Sequence, residues 1–105
     1  MDYINKIELL GNVGQVRTNT LDAGTVQNFS LYTQKVSQRA DGTPICEGTW
    51  HNVVAWDKEK VKQGDVVHVK GRLRVCKYTS SDGTERTYPE VIVSDISIID
   101  SRIEA

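Results

Sequence analysis

Residues 50–56 read Trp50-His51-Asn52-Val53-Val54-Ala55-Trp56, and this stretch decides how the rest of the chain is read. In an extended strand, side chains alternate between two faces. Trp50, Asn52, Val54 and Trp56 therefore share one face, while His51, Val53 and Ala55 turn to the other, the face a core would take. Both tryptophans of the chain then stand on one side of a strand, roughly 20 Å apart at about 3.3 Å per residue. Two flat, rigid aromatic surfaces on an otherwise polar face suit the stacking of nucleobases. The alternative is that both rings belong to a core.

Working outward, apolar residues alternate or bunch in short runs bounded by Gly, Asp, Asn and Ser, a strand rhythm rather than a helical one. Five strands are predicted: Ile4 to Val13, Val26 to Val36, Glu47 to Trp56, Val66 to Tyr78 and Tyr88 to Ile99. Turn signals separate them at Asp22-Ala-Gly24, Asp41-Gly42, Gln63-Gly64-Asp65 and Ser81-Asp82-Gly83. Only Asp57 to Gln63 reads as helical, and it is barely two turns long. Gly11-Asn-Val-Gly14 lacks the Lys-Ser/Thr and the following helix of a phosphate-binding loop, and fits a bulge in a barrel strand better. Short strands with turns at this spacing predict an all-β fold, a small barrel or sandwich, with no internal repeat and no linker.

The fourth strand, Val66-Val-His-Val-Lys-Gly-Arg-Leu-Arg-Val-Cys-Lys-Tyr78, divides by alternation. Val67, Val69, Leu73 and Val75 take one face with Gly71 among them; Lys70, Arg72, Arg74 and Tyr78 take the other. A row of cations ending in an aromatic ring would follow a phosphate backbone while the ring takes a base. The alternative is an ordinary solvated face. Like charges in a row repel, nothing in the strand itself offsets them, and the tryptophan strand tips the reading towards binding. The acids Glu8, Asp57, Glu59 and Asp65 are expected to lie outside this track.

At 105 residues the chain is one domain with room for a real core. Its formal net charge is −1, so a nucleic-acid reading rests on where the charges sit and not on their sum. No basic-then-apolar leader and no membrane-length apolar run occurs, which predicts a soluble, cytoplasmic protein without membrane attachment. Cys46 and Cys76 are far apart, with no Cys-x-x-Cys pair and no histidine cluster, so reduced thiols and no metal or other cofactor are expected. His51 and His68 sit inside strand patterns away from any nucleophile or carboxylate pair. No catalytic set is expected, and His51 reads as a buried or interface residue.

With these residues in view, the chain resembles the bacterial single-stranded DNA-binding proteins. The matching pieces are Asn5-Lys-Ile-Glu-Leu-Leu-Gly-Asn-Val-Gly-Gln15, Asn28-Phe-Ser-Leu31, Thr49-Trp-His-Asn-Val-Val-Ala-Trp56 and Lys70-Gly-Arg-Leu-Arg-Val-Cys-Lys-Tyr78, in the family's order and spread over residues 5 to 99. The resemblance implies a five-stranded OB barrel over residues 1–100, with a long hairpin between strands four and five and a short extension at 101–105. It implies a homotetramer, with a dimer as the alternative, that wraps single-stranded DNA without sequence preference in replication, recombination and repair. Trp50 and Trp56 match base-stacking aromatics of the third strand, and Tyr78 matches a third at the base of the long hairpin. Arg72, Arg74 and Lys77 match that hairpin's basic residues. Lys6 resembles a basic position on the first strand, and His51 a histidine near the interface between protomers.

Three departures stand out. The family's further stacking tryptophan would fall near Val36 or Ser37, and neither is aromatic. The helix after the third strand is cut to Asp57–Gln63. The Gly/Pro/Gln-rich tail with its acidic tip does not follow Ile99-Asp-Ser-Arg-Ile-Glu-Ala105, so recruitment of partners through such a tail is not expected; either the chain is trimmed or the natural protein is tailless, as in a plasmid, phage or mobile-element version. Two rivals remain beside this reading. One resembles a dimeric primosomal replication protein of the same fold, which contacts a helicase as well as DNA. The other is a protein-interaction barrel whose tryptophan strand is an interface, since aromatics and Arg are also enriched there.

Overall fold

The chain alternates strongly enough for its strands to close on themselves. A computed structural model describes residues 3–99 in full and residue 100 by its backbone; the extension expected at 101–105 lies outside the described residues. Five strands follow in chain order: β1 (Ile7–Leu21), β2 (Gly24–Gln38), β3 (Pro44–Trp56), β4 (Val66–Thr79) and β5 (Glu85–Asp100). They form a closed barrel in the order β1-β2-β3-β5-β4. Every neighbouring pair is antiparallel except β3 and β5, which run parallel where Val53 and Val54 meet Val91 and Ile92. This is the OB barrel that the resemblance implied, with the long β4–β5 hairpin in place.

Register slips let the strands bend round the barrel, one in the β1–β2 ladder and two in the β4–β5 ladder, at Val66/Val67 and Lys70/Gly71. The β1–β2 register slips between Val13 and Val16, at the Gly11–Gly14 stretch that reads as a bulge. β1 pairs with β4 over Ile7–Asn12 and with β2 from Asn12 onward. The β1 backbone at the slip is held by the 64–65 turn: the Val13 amide donates to the Asp65 carbonyl, and the Gly64 amide donates to the Val13 carbonyl. The slip between Lys70 and Gly71 leaves Ser94 of β5 out of the ladder, its hydroxyl donating to the Lys70 carbonyl. Beyond it, Ile96 turns inward to continue the row of Val91 and Val93.

The core is the inner face of all five strands: Val13, Phe29, Leu31, Val53, Ala55, Val67, Val69, Val91, Val93 and Ile96, with Val61 packed against them from the β3–β4 connection. β1 runs eight residues past Val13, because Arg17-Thr-Asn-Thr-Leu21 pairs with β2 through its backbone although its side chains are exposed and carry no apolar alternation.

The connection 57–63 is not the expected helix, and there is no helix among the described residues. Its backbone is taken by buried side chains instead. Gln27, buried at the inner end of β2, donates to the Glu59 carbonyl at 2.9 Å and accepts from the Val61 amide at 3.0 Å. Asp65 accepts from the Lys62 amide at 2.9 Å. A two-turn helix gains little against its nucleation cost, and these bonds hold an extended path that presses Val61 into the core.

Candidate nucleic-acid interface

The outer face of β3 carries the aromatic residues, and the register on either side assembles what surrounds them. Cross-strand partners share a face: Tyr32 opposes Trp50, Ser30 opposes Asn52, Asn28 opposes Val54 and Val26 opposes Trp56. Trp50 is 63% exposed and Trp56 40%, so neither ring is core. Val54, grouped with them by alternation, is buried; it lies between Asn28 and Ile92 at the one place where β3 has a strand on both sides.

Trp50 is seated rather than loose. The Tyr32 ring lies 5.0 Å from it, centroid to centroid, at 48°. Gly48 leaves the space that Tyr32 crosses, since a Cβ there would collide with the tyrosine hydroxyl. Gly14, in the β1 slip, does the same for Trp50, whose Cζ3 would lie 2.8 Å from an added Cβ. The indole is thus propped at a tilt while the rest of it meets solvent.

Across the strands, one row of outward residues runs Arg17, Asn28, Val54, Ile92, Arg72 from β1 to β4. An arginine therefore stands at each end of a row about four strand spacings long, roughly 19 Å along the sheet, with the two tryptophans on either side of its middle. Arg72 and Arg17 have no carboxylate partner among the described residues, and neither does Lys6.

The other expected cations are less free. Arg74 pairs with Glu90, whose side chain is 8% exposed, and this hydrogen bond holds the guanidinium even more firmly in its charged form. Lys77 lies 3.8 Å from Glu85, and Lys70 4.0 Å from Glu8. The repulsion along β4 is thus offset from neighbouring strands. Glu8 stands beside the track and not outside it, also meeting His68 at 3.3 Å. Asp57 does lie apart, accepting from the Thr25 amide, and Asp65 is buried. Lys6, Lys70 and Glu8 line one cavity at the β1–β4 seam.

Tyr78 stands six residues beyond Arg72 on the β4–β5 hairpin, with its ring 5.7 Å from that of Tyr88. The hairpin has left the barrel there: Leu73 and Val75, inward by alternation, are 43% and 62% exposed. His51 turns inward as expected, half-buried, with Nε2 2.9 Å from Thr33 Oγ1. Burial pushes its pKa below the usual value. No group of three His, Cys, Asp or Glu among the described residues is placed to hold a metal, and among the described residues there is no helix long and apolar enough to cross a membrane.

Two members of this surface escape a reading of the strands one at a time. Tyr32 lies on β2, where its partner across the ladder is invisible until the register is known. Arg17 lies in a polar run that gives no strand signal. The β2–β3 turn is centred on Asp41, with Arg39 facing Thr43, and this brings Tyr32 to Trp50; a two-residue Asp41-Gly42 loop would have brought it to His51.

Comparison with known proteins gives a consistent result. The model of the Single-strand binding protein family matches residues 4–99. A single-stranded DNA-binding protein of Bacteroides thetaiotaomicron is 34% identical over 106 residues, covering 91% of this chain and 66% of the relative. One of Xanthomonas axonopodis pv. citri is 32% identical over 109 residues, covering 96% of this chain and 61% of the relative. The chain thus spans less than two thirds of the length of these relatives. Among solved structures, a Plasmodium falciparum SSB in complex with ssDNA superposes with a TM-score of 0.80 at 26% identity, covering 95% of this chain and 98% of that one. A small single-stranded DNA-binding protein from Streptomyces coelicolor shares the fold, with a TM-score of 0.73 at 23% identity over 93% of this chain and 95% of that one.

Proposed function

Since the chain belongs to the Single-strand binding protein family, we propose that it binds single-stranded DNA across the outer face of β3 and protects it in replication, recombination and repair. Bases stack on Trp50 and Trp56, with Tyr78 a further ring out on the hairpin, because any base offers a π-face to a flat aromatic. Arg72 neutralises phosphate beside the tryptophans. Lys6 and Lys70 extend the track towards the β1–β4 seam, and Arg74 and Lys77 extend it along the hairpin. The protein acts by binding and not by catalysis, in the cytoplasm, as a homotetramer or, in the alternative, a dimer with His51 near the contact.

The observation that carries this reading is that both tryptophans stand exposed on one outer strand face, one of them propped by Tyr32, with Arg72, which has no carboxylate partner among the described residues, at the end of the cross-strand row that passes between them. A face built to be an ordinary solvated surface has no need of two exposed indoles.

Tryptophan fluorescence titrated with oligo-dT at two salt concentrations tests it. Quenching that weakens with salt, at a slope near −0.7 per neutralised phosphate, is the expected result. No quenching and no binding at low salt would mean that this face serves a protein partner. Solution mass with and without DNA separates tetramer from dimer.

A further inference from the structure

Between Trp50 and Arg17 the outer face is not flat. The slip in β1 takes Gly14 and Gln15 out of the ladder, the Gln15 amide donating to Ser30 Oγ instead of to a backbone partner. The space opened there is a groove in two joined parts. One, of about 210 Å³, is lined by Gln15, Arg17, Asn28, Ser30 and Asn52, and the core residues Phe29 and Val53 close its floor. The other continues from Gln15 and Ser30 along Trp50. Asn28 and Asn52 come from adjacent strands at neighbouring outward positions. None of the side-chain amides of Asn28, Asn52 and Gln15 has a hydrogen-bond partner among the described residues.

Stacking and phosphate contacts need none of this. A side-chain amide offers one acceptor and two donors side by side, the complement of a nucleobase edge. Resting on the proposal that this face binds single-stranded DNA, we infer that the groove is a base-reading pocket. One unstacked base inserts its Watson–Crick edge between Asn28, Asn52 and Gln15, while its neighbour on one side stacks on Trp50 and the phosphate on its other side meets Arg17. The face would then be tolerant of sequence at most positions and selective at one.

The test compares oligo-dT with an oligomer of N3-methylthymidine of equal length. The methyl group leaves the ring face free to stack but removes the edge donor. The expected result is that the wild-type protein binds the methylated strand about threefold to tenfold more weakly, what one or two neutral hydrogen bonds are worth. Asn52→Ala and Asn28→Ala, made singly at solvent-facing positions, should each narrow that ratio. Equal affinity of the wild-type protein for both strands, with oligo-dT bound and tryptophan quenched, overturns the pocket and leaves single-strand binding standing. A preference that survives in both variants also overturns it. Failure to bind oligo-dT at all overturns the pocket together with the reading it rests on.

Discussion

The Tyr32 and Trp50 rings lie 5.0 Å apart and tilted by 48°, so one exposed indole is held by a neighbouring strand while the other, Trp56, opposes only Val26. The two platforms differ in how they are prepared for a base. Aromatic pairs of this geometry are worth about 0.5–1.5 kcal/mol beyond their buried area, enough to fix the angle of a surface ring.

Removing the prop should therefore weaken binding without touching a base. Tyr32→Ala is expected to reduce oligo-dT affinity by about 0.5–1.5 kcal/mol, while Tyr32→Phe, which keeps the ring, stays near wild type. Fluorescence titration measures both. Equal losses in the two variants would assign the effect to the hydroxyl.

Trp56 answers a simpler question. At 40% exposure its ring is available to a base and is not a member of the core. Trp56→Ala should lower oligo-dT affinity by about 1–3 kcal/mol while thermal unfolding stays close to wild type. Phe29→Ala, by contrast, removes a core ring and should destabilise the barrel by about 3–5 kcal/mol.

Arg72 and Arg74 are neighbours on one face with different prospects. Arg72→Ala should make the salt dependence of binding shallower by about 0.7. Arg74→Ala should change that slope less, since Arg74 is already engaged by Glu90, and should lower the unfolding midpoint by leaving a buried carboxylate without its partner. Measuring slope and midpoint for both variants separates the roles. A larger slope change at Arg74 would reverse the assignment.

Gln27 does the work of a helix by other means. Gln27→Leu keeps the volume but leaves the buried Val61 amide without its acceptor, a loss expected to cost about 1–3 kcal/mol in urea unfolding. Oligo-dT binding reads how far the change spreads, because Gln63 at the end of this connection lines the Trp50 part of the groove.

His51 couples the barrel to pH. Its folded pKa lies below the usual value because burial disfavours the charged imidazolium. The unfolded chain then binds the proton more readily, so stability rises with pH through this interval. The contribution is fully present above about pH 6.5 and is lost as pH falls through the folded value. The unfolding midpoint should fall between pH 7.5 and pH 5, and His51→Gln should remove part of that dependence. An identical pH profile in the variant would sink this account.

The alternating runs in Val26–Val36, Trp50–Trp56 and Val66–Tyr78 were enough to reach five strands in a small barrel or sandwich, which the family resemblance narrowed to a barrel, and to set Trp50, Trp56 and Arg72 outward, because alternation is a local property of extended chain. The Gly11–Gly14 bulge was legible for the same reason. Long-range pairing was not. Glu8 beside Lys70, Glu90 under Arg74 and Tyr32 against Trp50 are contacts between strands whose relative register depends on turns and slips elsewhere. The helix expected at 57–63 failed because local propensity is weak over two turns, and Gln27, thirty residues earlier, supplied competing hydrogen bonds. Leu73 and Val75 kept their face but lost their core, since the hairpin that carries them leaves the barrel. What the sequence determined by itself is which way each strand residue points. Which neighbours it meets there, and so which cations stay free and where a groove opens, was decided only by closing the barrel.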